Sequence, residues 1–231
     1  MHALDNVIWQ ALTTRDSAFA EGVGRARRFM REVTSLTAFE REGPEGYAAL
    51  AELVGAGGTA ALFLEQVYKA RGGWEMLAEA PLLQMVCEGD GLPKRWAESV
   101  PVPEIVRLGA ADSPEMMELT SLTKPGPFGR RTHELGTYLG IRVEGKLVAM
   151  AGERLKVPGY TEVSAVCTHP EHAGKGYARM LMLEVMRGIR ERGETPFLHV
   201  RRDNARAIAL YERIGFRTRV MPHFALLRKV G

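Results

Sequence analysis

Val163-Ser164-Ala165-Val166-Cys167-Thr168-His169-Pro170-Glu171-His172-Ala173-Gly174-Lys175-Gly176-Tyr177-Ala178 is the most informative run in the chain. A β-type stretch ends at a proline, passes through a glycine-bearing loop and enters a helix. Gly174 and Gly176 let the backbone approach a ligand and turn its N–H groups to one side. Those amides, added to the free N–H groups of the helix's first turn, predict an anion site. A phosphate or pyrophosphate is the natural occupant. A simple strand-to-helix turn is the alternative that this loop, taken alone, leaves open.

Downstream, Ala178, Leu181, Met182, Val185, Met186 and Ile189 recur at helical spacing, with Arg179, Glu184, Arg187, Arg190 and Glu191 largely opposite. The spacing predicts a helix over 177–192, and a strand over 197–201 follows it. A strand–helix–strand crossover of this kind sets its two strands parallel. Upstream, strands are predicted over 161–168, 146–155, 136–143 and 105–108, with Glu144-Gly145 as a hairpin turn. A helix begins near Asp112-Ser113-Pro114 and runs to about Leu122. A helix over 204–214 and a last strand over 217–227 complete the order β-α-β-β-β-α-β-α-β.

The second motif is Asn204-Ala205-Arg206-Ala207-Ile208-Ala209-Leu210-Tyr211-Glu212-Arg213-Ile214-Gly215-Phe216, a capped helix ended by glycine. Asn204 and Tyr211 lie about two turns apart on one face and can line a single elongated ligand. The glycine loop is not a Walker loop, because Gly176 rather than Ser or Thr follows Lys175. It is not the dinucleotide fingerprint either, because Arg179 stands where a third Gly or Ala is needed.

From about Ile105 to Lys229 the chain resembles the GNAT superfamily of acyl-CoA-dependent N-acyltransferases. Thr168 through Ala178 is similar to its acetyl-CoA loop, and Asn204 through Phe216 to its Asn–Ala–Leu–Tyr–Glu–Gly–Phe signature. The fold implied is α/β, a GNAT-like mixed central sheet with flanking helices, over residues 104–231. A smaller α/β unit over residues 1–100 precedes it. That unit resembles the degenerate N-terminal half of two-part members such as the glycine N-acyltransferase type, with a packing or substrate-shaping role. The resemblance implies acetyl-CoA as cosubstrate, held by Val166, Cys167, Thr168, Ala173, Gly174, Lys175, Gly176, Tyr177, Ala178, Arg179 and Asn204. Where the family carries Gln or Arg, this chain has Ala173; the backbone amides remain, with Arg179 or Lys175 to compensate for the lost side-chain contact.

By the same resemblance an amine attacks the thioester directly. Tyr211 is implied as the general acid, a phenol being protonated at neutral pH. Its other reading is a core residue with a satisfied hydroxyl. Glu162 is implied as the acidic residue acting directly or through water, against the reading of a solvated strand-end carboxylate. Strict alternation puts Glu162 and Ser164 on the face of Val166 and Thr168 and turns Cys167 away. His199 reads as a strand core residue beside the expected acyl pocket. Arg130 and Arg131 read as a surface pair or as a contact for an acidic acceptor. The acceptor implied is a primary amine of a small molecule, amino acid or peptide. A non-catalytic CoA-binding regulatory module is the rival reading, and a homodimer is compatible with the family.

The rest of the sequence narrows the class. The chain has 231 residues, 45% hydrophobic and 26% charged, which suits a folded soluble protein. Its net charge of +3 includes no basic stripe interleaved with aromatics, so neither nucleic acid nor membrane is expected as a partner. Cys87 and Cys167 support no disulfide framework, and with His169 and His172 they match no closed zinc spacing, so no metal is expected. No leader or long apolar run is evident, and the expected compartment is the cytoplasm. In the first hundred residues, helices are predicted over 17–33 and 47–54 and strands over 59–64 and 82–87. The Gly- and Pro-bearing stretch from Glu88 to Pro103 is the expected linker.

Overall fold

The computed structural model describes residues 2–22, 24–89 and 103–231, so most of the expected linker, residues 90–102, lies outside the described residues. The chain begins with α1 (Val7–Thr13), β1 (Ala20–Glu21), β2 (Ala26–Phe29), β3 (Thr37–Phe39) and α2 (Pro44–Val54). It continues with β4 (Thr59–Leu64), β5 (Trp74–Val86), β6 (Ile105–Leu108), α3 (Ser113–Thr123), β7 (Tyr138–Val143) and β8 (Lys146–Val157). Then come β9 (Tyr160–Thr168), α4 (Tyr177–Glu191), β10 (Thr195–Arg201), α5 (Ala205–Arg213), β11 (Arg217–Val220) and β12 (His223–Lys229).

The principal sheet runs β4-β12-β5-β10-β9-β8-β7-β6, with β11 also paired to β5. β9 and β10 are parallel, joined by the α4 crossover, and the other named pairings of this sheet are antiparallel. The β7–β8 hairpin turns on Glu144 (φ 50°) and Gly145 (φ 80°), the left-handed pair such a turn requires. Residues 1–100 and 104–231 both contribute strands to this sheet. β12, from the chain's end, lies between β4 and β5, and β5 pairs with β10.

α4 forms because its apolar stripe matches the helical period. Leu181, Met182, Val185, Met186 and Ile189 are all buried against the sheet, each contributing about 1.5–3 kcal/mol. α5 packs in the same core through Ile208 and Tyr211. The opposite face is covered by α3 over Tyr138, Met150 and Cys167, and by α1 over Leu155, Val157 and Phe197.

Three expectations need correction. Residues 17–33 are not a helix: a 3₁₀ turn over Ser17–Phe19 leads into β1, and β2 follows. Gly22 (φ 99°) and Gly24 (φ 69°) turn the chain there, and a side chain at Gly22 would meet Leu53 at 2.8 Å. Ala26 and Phe29, spaced as on a helix, are the two buried ends of a four-residue strand. The strand expected over 82–87 is the end of the much longer β5. The last strand is two, β11 and β12, parted at Met221-Pro222, since proline has no N–H to give a ladder. Among the described residues no helix is long and apolar enough to cross a membrane.

Candidate active site

β9 and β10 pair only from Tyr160, Thr161 and Glu162 to Thr195, Pro196 and Phe197. Beyond that rung β9 continues to Thr168, while β10 continues to Arg201 along β5. A cleft therefore opens between the two strands, with Glu162 at its apex. A bulge in β9 opposite β8 accompanies the divergence. Met150 faces Cys167 and Gly152 faces Ser164, so Ala151 alone opposes Ala165 and Val166. Ala165 has φ 52°, a left-handed conformation that is costly for a residue with a side chain.

The bulge corrects the alternation argument. Val163 and Val166 both pack into the core beneath α4, whereas Ala165 and Cys167 pack beneath α3. Glu162 and Ser164 therefore do not share the face of Val166 and Thr168. The Cys167 thiol is pushed up to about 11, first by burial, against the opposing hydrogen bonds of Thr123 and the Met150 backbone. It is thus held as the neutral thiol, not the nucleophilic thiolate.

The glycine loop forms one rim of the cleft. Pro170–His172 make a 3₁₀ turn, then Gly174 (φ 84°) and Gly176 (φ 80°) bring the chain to the N-terminus of α4. Gly176 is the N-cap and supplies no side-chain cap, so the first turn of α4 presents the helix's positive end without one. A Cβ built at Gly174 would meet nothing within 4 Å, so that backbone is open to a ligand. Lys175 Nζ lies 3.2 Å from His172 Nδ1, and the His172 ring stacks on Tyr177 at 6.4 Å. The Thr168 hydroxyl is buried without a partner where β9 meets this loop. An orphaned hydroxyl beside an uncapped, glycine-led helix start fits the diphosphate and pantetheine arm of a CoA thioester.

α5 forms the other rim. Asn204 accepts from the Ala207 N–H at 3.1 Å and so caps the helix with its carbonyl oxygen. Tyr211 is 8% exposed, and its ring lies 6.1 Å from that of Phe216. Its hydroxyl is pushed up to about 12, chiefly by burial and then by the nearby Cys167.

The apex holds a buried polar chain. Arg154 donates to both oxygens of Glu162, at 2.8 and 2.9 Å, and His199 Nδ1 lies 2.7 Å from Glu162 Oε1. The Glu162 side chain is 0% exposed, so the picture of a solvated carboxylate is wrong. Burial acts to raise its carboxyl, but Arg154 and then His199 outweigh it and hold the group at about 2. Beyond His199, Gln84 bonds to Leu4 and Arg219.

The face opposite α4 is roofed by the loop over 124–129. Phe128 packs edge-on to Tyr138 at 5.8 Å, and a Cβ at Gly126 would lie 3.9 Å from Arg154 Nη1. The Tyr138 hydroxyl is buried without a partner. Residues 32–33 hold the next part of this loop: Arg131 N donates to the Glu32 carbonyl at 2.9 Å, and Thr132 Oγ1 donates to the Val33 carbonyl. Arg130 faces Glu32 at 3.9 Å, and Arg131 forks onto Glu134 at 2.7 Å. Sequence reasoning missed Arg154, Gln84 and Tyr138. Glu153-Arg154, a charged pair inside an apolar strand, was the available signal.

A depression of about 510 Å³ bordered by Tyr47, Arg71, Trp74 and Lys229 lies away from this cleft. Its two cations are held locally: Arg71 sits over the Tyr47 ring at 4.5 Å and beside Glu42 at 3.6 Å, and Lys229 donates to the Val230 carbonyl.

Comparison with known proteins bears on the same region. A family model described as FR47-like protein matches residues 138–224. The chain is 39% identical over 82 residues to the N-alpha-acetyltransferase RimI of Mycobacterium tuberculosis, covering 34% of this chain and 51% of that protein. The chain thus spans about half the length of that curated relative. A crystal structure of a GNAT-family protein from Novosphingobium aromaticivorans is 37% identical, covers 100% of both chains and superposes with a TM-score of 0.89. A GCN5-related N-acetyltransferase from Kribbella flavida is 16% identical, covering 98% of this chain and 96% of that one at a TM-score of 0.66, a likeness of fold.

Proposed function

This chain belongs to the GNAT family of acetyltransferases, and from that premise we propose that it transfers an acetyl group from acetyl-CoA to a primary amine of a small molecule, amino acid or peptide. The observation that carries this reading is the cleft itself. Two parallel strands part at Glu162, with an uncapped glycine-led helix start on one rim and a buried tyrosine on the other.

The amides of Gly174–Arg179 and the Thr168 hydroxyl hold the cosubstrate's diphosphate and arm, with Lys175 and Asn204 at the two rims. When bound, acetyl-CoA supplies an acetyl group already activated as a thioester. Backbone N–H groups over Val166–Thr168 polarise the carbonyl that the amine attacks. Tyr211, its phenol pushed up to about 12, is fully protonated at neutral pH and directs that hydrogen at the sulfur as negative charge builds there. Glu162 presents a fixed negative charge near the attacking nitrogen. Accepting a proton directly would require it to release Arg154 or His199, so the amine gives its proton to water, with the carboxylate stabilising the positive charge in passing. The loop over 125–132 and the residues that brace it, Glu32 and Val33, shape the acceptor's side, a role for the first hundred residues.

Calorimetry with acetyl-CoA and a thiol-release assay across a panel of amines test the proposal together. Binding with thiol release on at least one primary amine is expected. Binding without release on any amine would favour a CoA-binding module instead.

A further inference from the structure

The polar chain at the cleft's apex has only one consistent set of donors and acceptors. Arg219 can only donate, and its Nη1 lies 2.7 Å from Gln84 Oε1, so that atom is the amide oxygen. The Gln84 amide nitrogen then donates to the Leu4 carbonyl at 3.1 Å, which fixes the same orientation independently. That nitrogen also lies 3.2 Å from His199 Nε2. An amide –NH₂ has no lone pair to offer, so His199 Nε2 must accept. The ring hydrogen is therefore on Nδ1, where it donates to Glu162 Oε1 at 2.7 Å.

We propose that Gln84 is a positioning residue that fixes His199 as the Nδ1–H tautomer and thereby fixes Glu162 at the point where β9 and β10 part. The placement leaves His199 little freedom. Its side chain is 3% exposed, with the Phe63 ring 4.5 Å away and the Phe197 ring 5.8 Å away. With its one lone pair taken by Gln84, His199 does not serve as the base for the amine. The charged groups around it are Glu162 from β9, Arg154 from β8, Arg219 from β11, and Asp5, which pairs with Arg219. Asp16 lies close enough to Glu162 to feel its charge. Gln84, Leu4 and Asp5 all come from the first hundred residues, so that part of the chain reaches the reaction cleft by a defined route. The opposite tautomer would set a nitrogen lone pair against a carboxylate oxygen and push Glu162 off its rung. The inference rests on the cleft being the site of acetyl transfer.

Nitrogen NMR of histidine-labelled protein reads the tautomer directly, with thiol-release kinetics alongside. The wild type is expected to show His199 with hydrogen on Nδ1 and none on Nε2. Gln84→Glu keeps the shape but can only accept at that position, so hydrogen is expected on Nε2. That sets the Nδ1 lone pair against the Glu162 carboxylate and displaces it, so kcat falls about tenfold while the KM for acetyl-CoA stays within about twofold. A second pair guards against misfolding: His199→Asn, whose amide can still donate to Glu162, is expected to retain about tenfold more turnover than His199→Leu. A wild-type ring with hydrogen on Nε2, a Gln84→Glu tautomer change with unaltered kcat, or equal turnover of the two His199 variants would overturn the inference. Absence of transfer to any amine by a wild type showing the expected tautomer would overturn the functional reading instead.

Discussion

Glu162→Gln removes one charge from the middle of the sheet and leaves Arg154, only 7% exposed, without its counter-ion. Two routes give the cost. Arg154 and His199 hold the Glu162 carboxyl at about 2 against its ordinary 4.5, despite burial acting the other way. At ~1.4 kcal/mol per tenfold, that lowering corresponds to about 3 kcal/mol of folding stability. Removing one partner of a buried ion pair costs about 3–5 kcal/mol in general. The folded value lies below the unfolded one, so the contribution is complete above about pH 4.5 and is lost as pH falls through about 2. Glutamine does not titrate there. In urea unfolding the wild type should exceed the variant by about 3 kcal/mol at neutral pH, with the gap narrowing below about pH 4.5. The melting temperature at neutral pH should fall by about 6–12 °C for a chain of this size. A gap under about 1 kcal/mol at neutral pH, or the same gap near pH 2, would mean that the Glu162 charge does not stabilise the fold through Arg154 and His199.

Tyr211→Phe should lower kcat about a hundredfold or more while acetyl-CoA affinity by calorimetry stays within about twofold, because the phenol acts on the departing sulfur; unchanged turnover removes Tyr211 from the chemistry. Gly176→Glu places a side chain at φ 80° and a negative charge at the helix start, so calorimetry should show acetyl-CoA affinity falling about tenfold or more. Unchanged affinity would move the diphosphate elsewhere. Asp16 is pushed up to about 7, chiefly by burial, against the Lys156 backbone amide. Its folded value lies above its unfolded one, so the folded protein retains a proton that the unfolded chain releases, and stability falls as pH rises from about 4 to 7. Asp16→Asn should therefore be more stable than the wild type at pH 8, by up to about 4 kcal/mol in urea unfolding, with the gain vanishing below about pH 4; a pH-independent difference would contradict this.

Much of the C-terminal half was legible because its signals are local. The apolar period of α4, the Asn204 cap, the Glu144-Gly145 turn and the β9–α4–β10 crossover each follow from a few neighbouring residues. What escaped was non-local. The Ala165 bulge depends on how β8 and β9 register, and its single extra residue reverses which side chains share a face. Insertion of β12 between β4 and β5 joins segments far apart in the chain, which no window of sequence reveals. Glu162 drew attention by its place in the motif, but its partners Arg154 and His199, and Gln84 behind His199, come from three other strands. The misread segment over 17–33 shows the limit of periodicity: Ala26 and Phe29 fit a helix and equally fit the two ends of a short strand.

A crystal structure with bound coenzyme A would show whether the cleft between β9 and β10 is where the thioester lies. The diphosphate is expected on the main-chain amides between Gly174 and Arg179, the arm between β9 and β10, and the sulfur within hydrogen-bonding reach of the Tyr211 hydroxyl. A diphosphate bound elsewhere, or a sulfur remote from Tyr211 with the cleft between the strands closed, would contradict it.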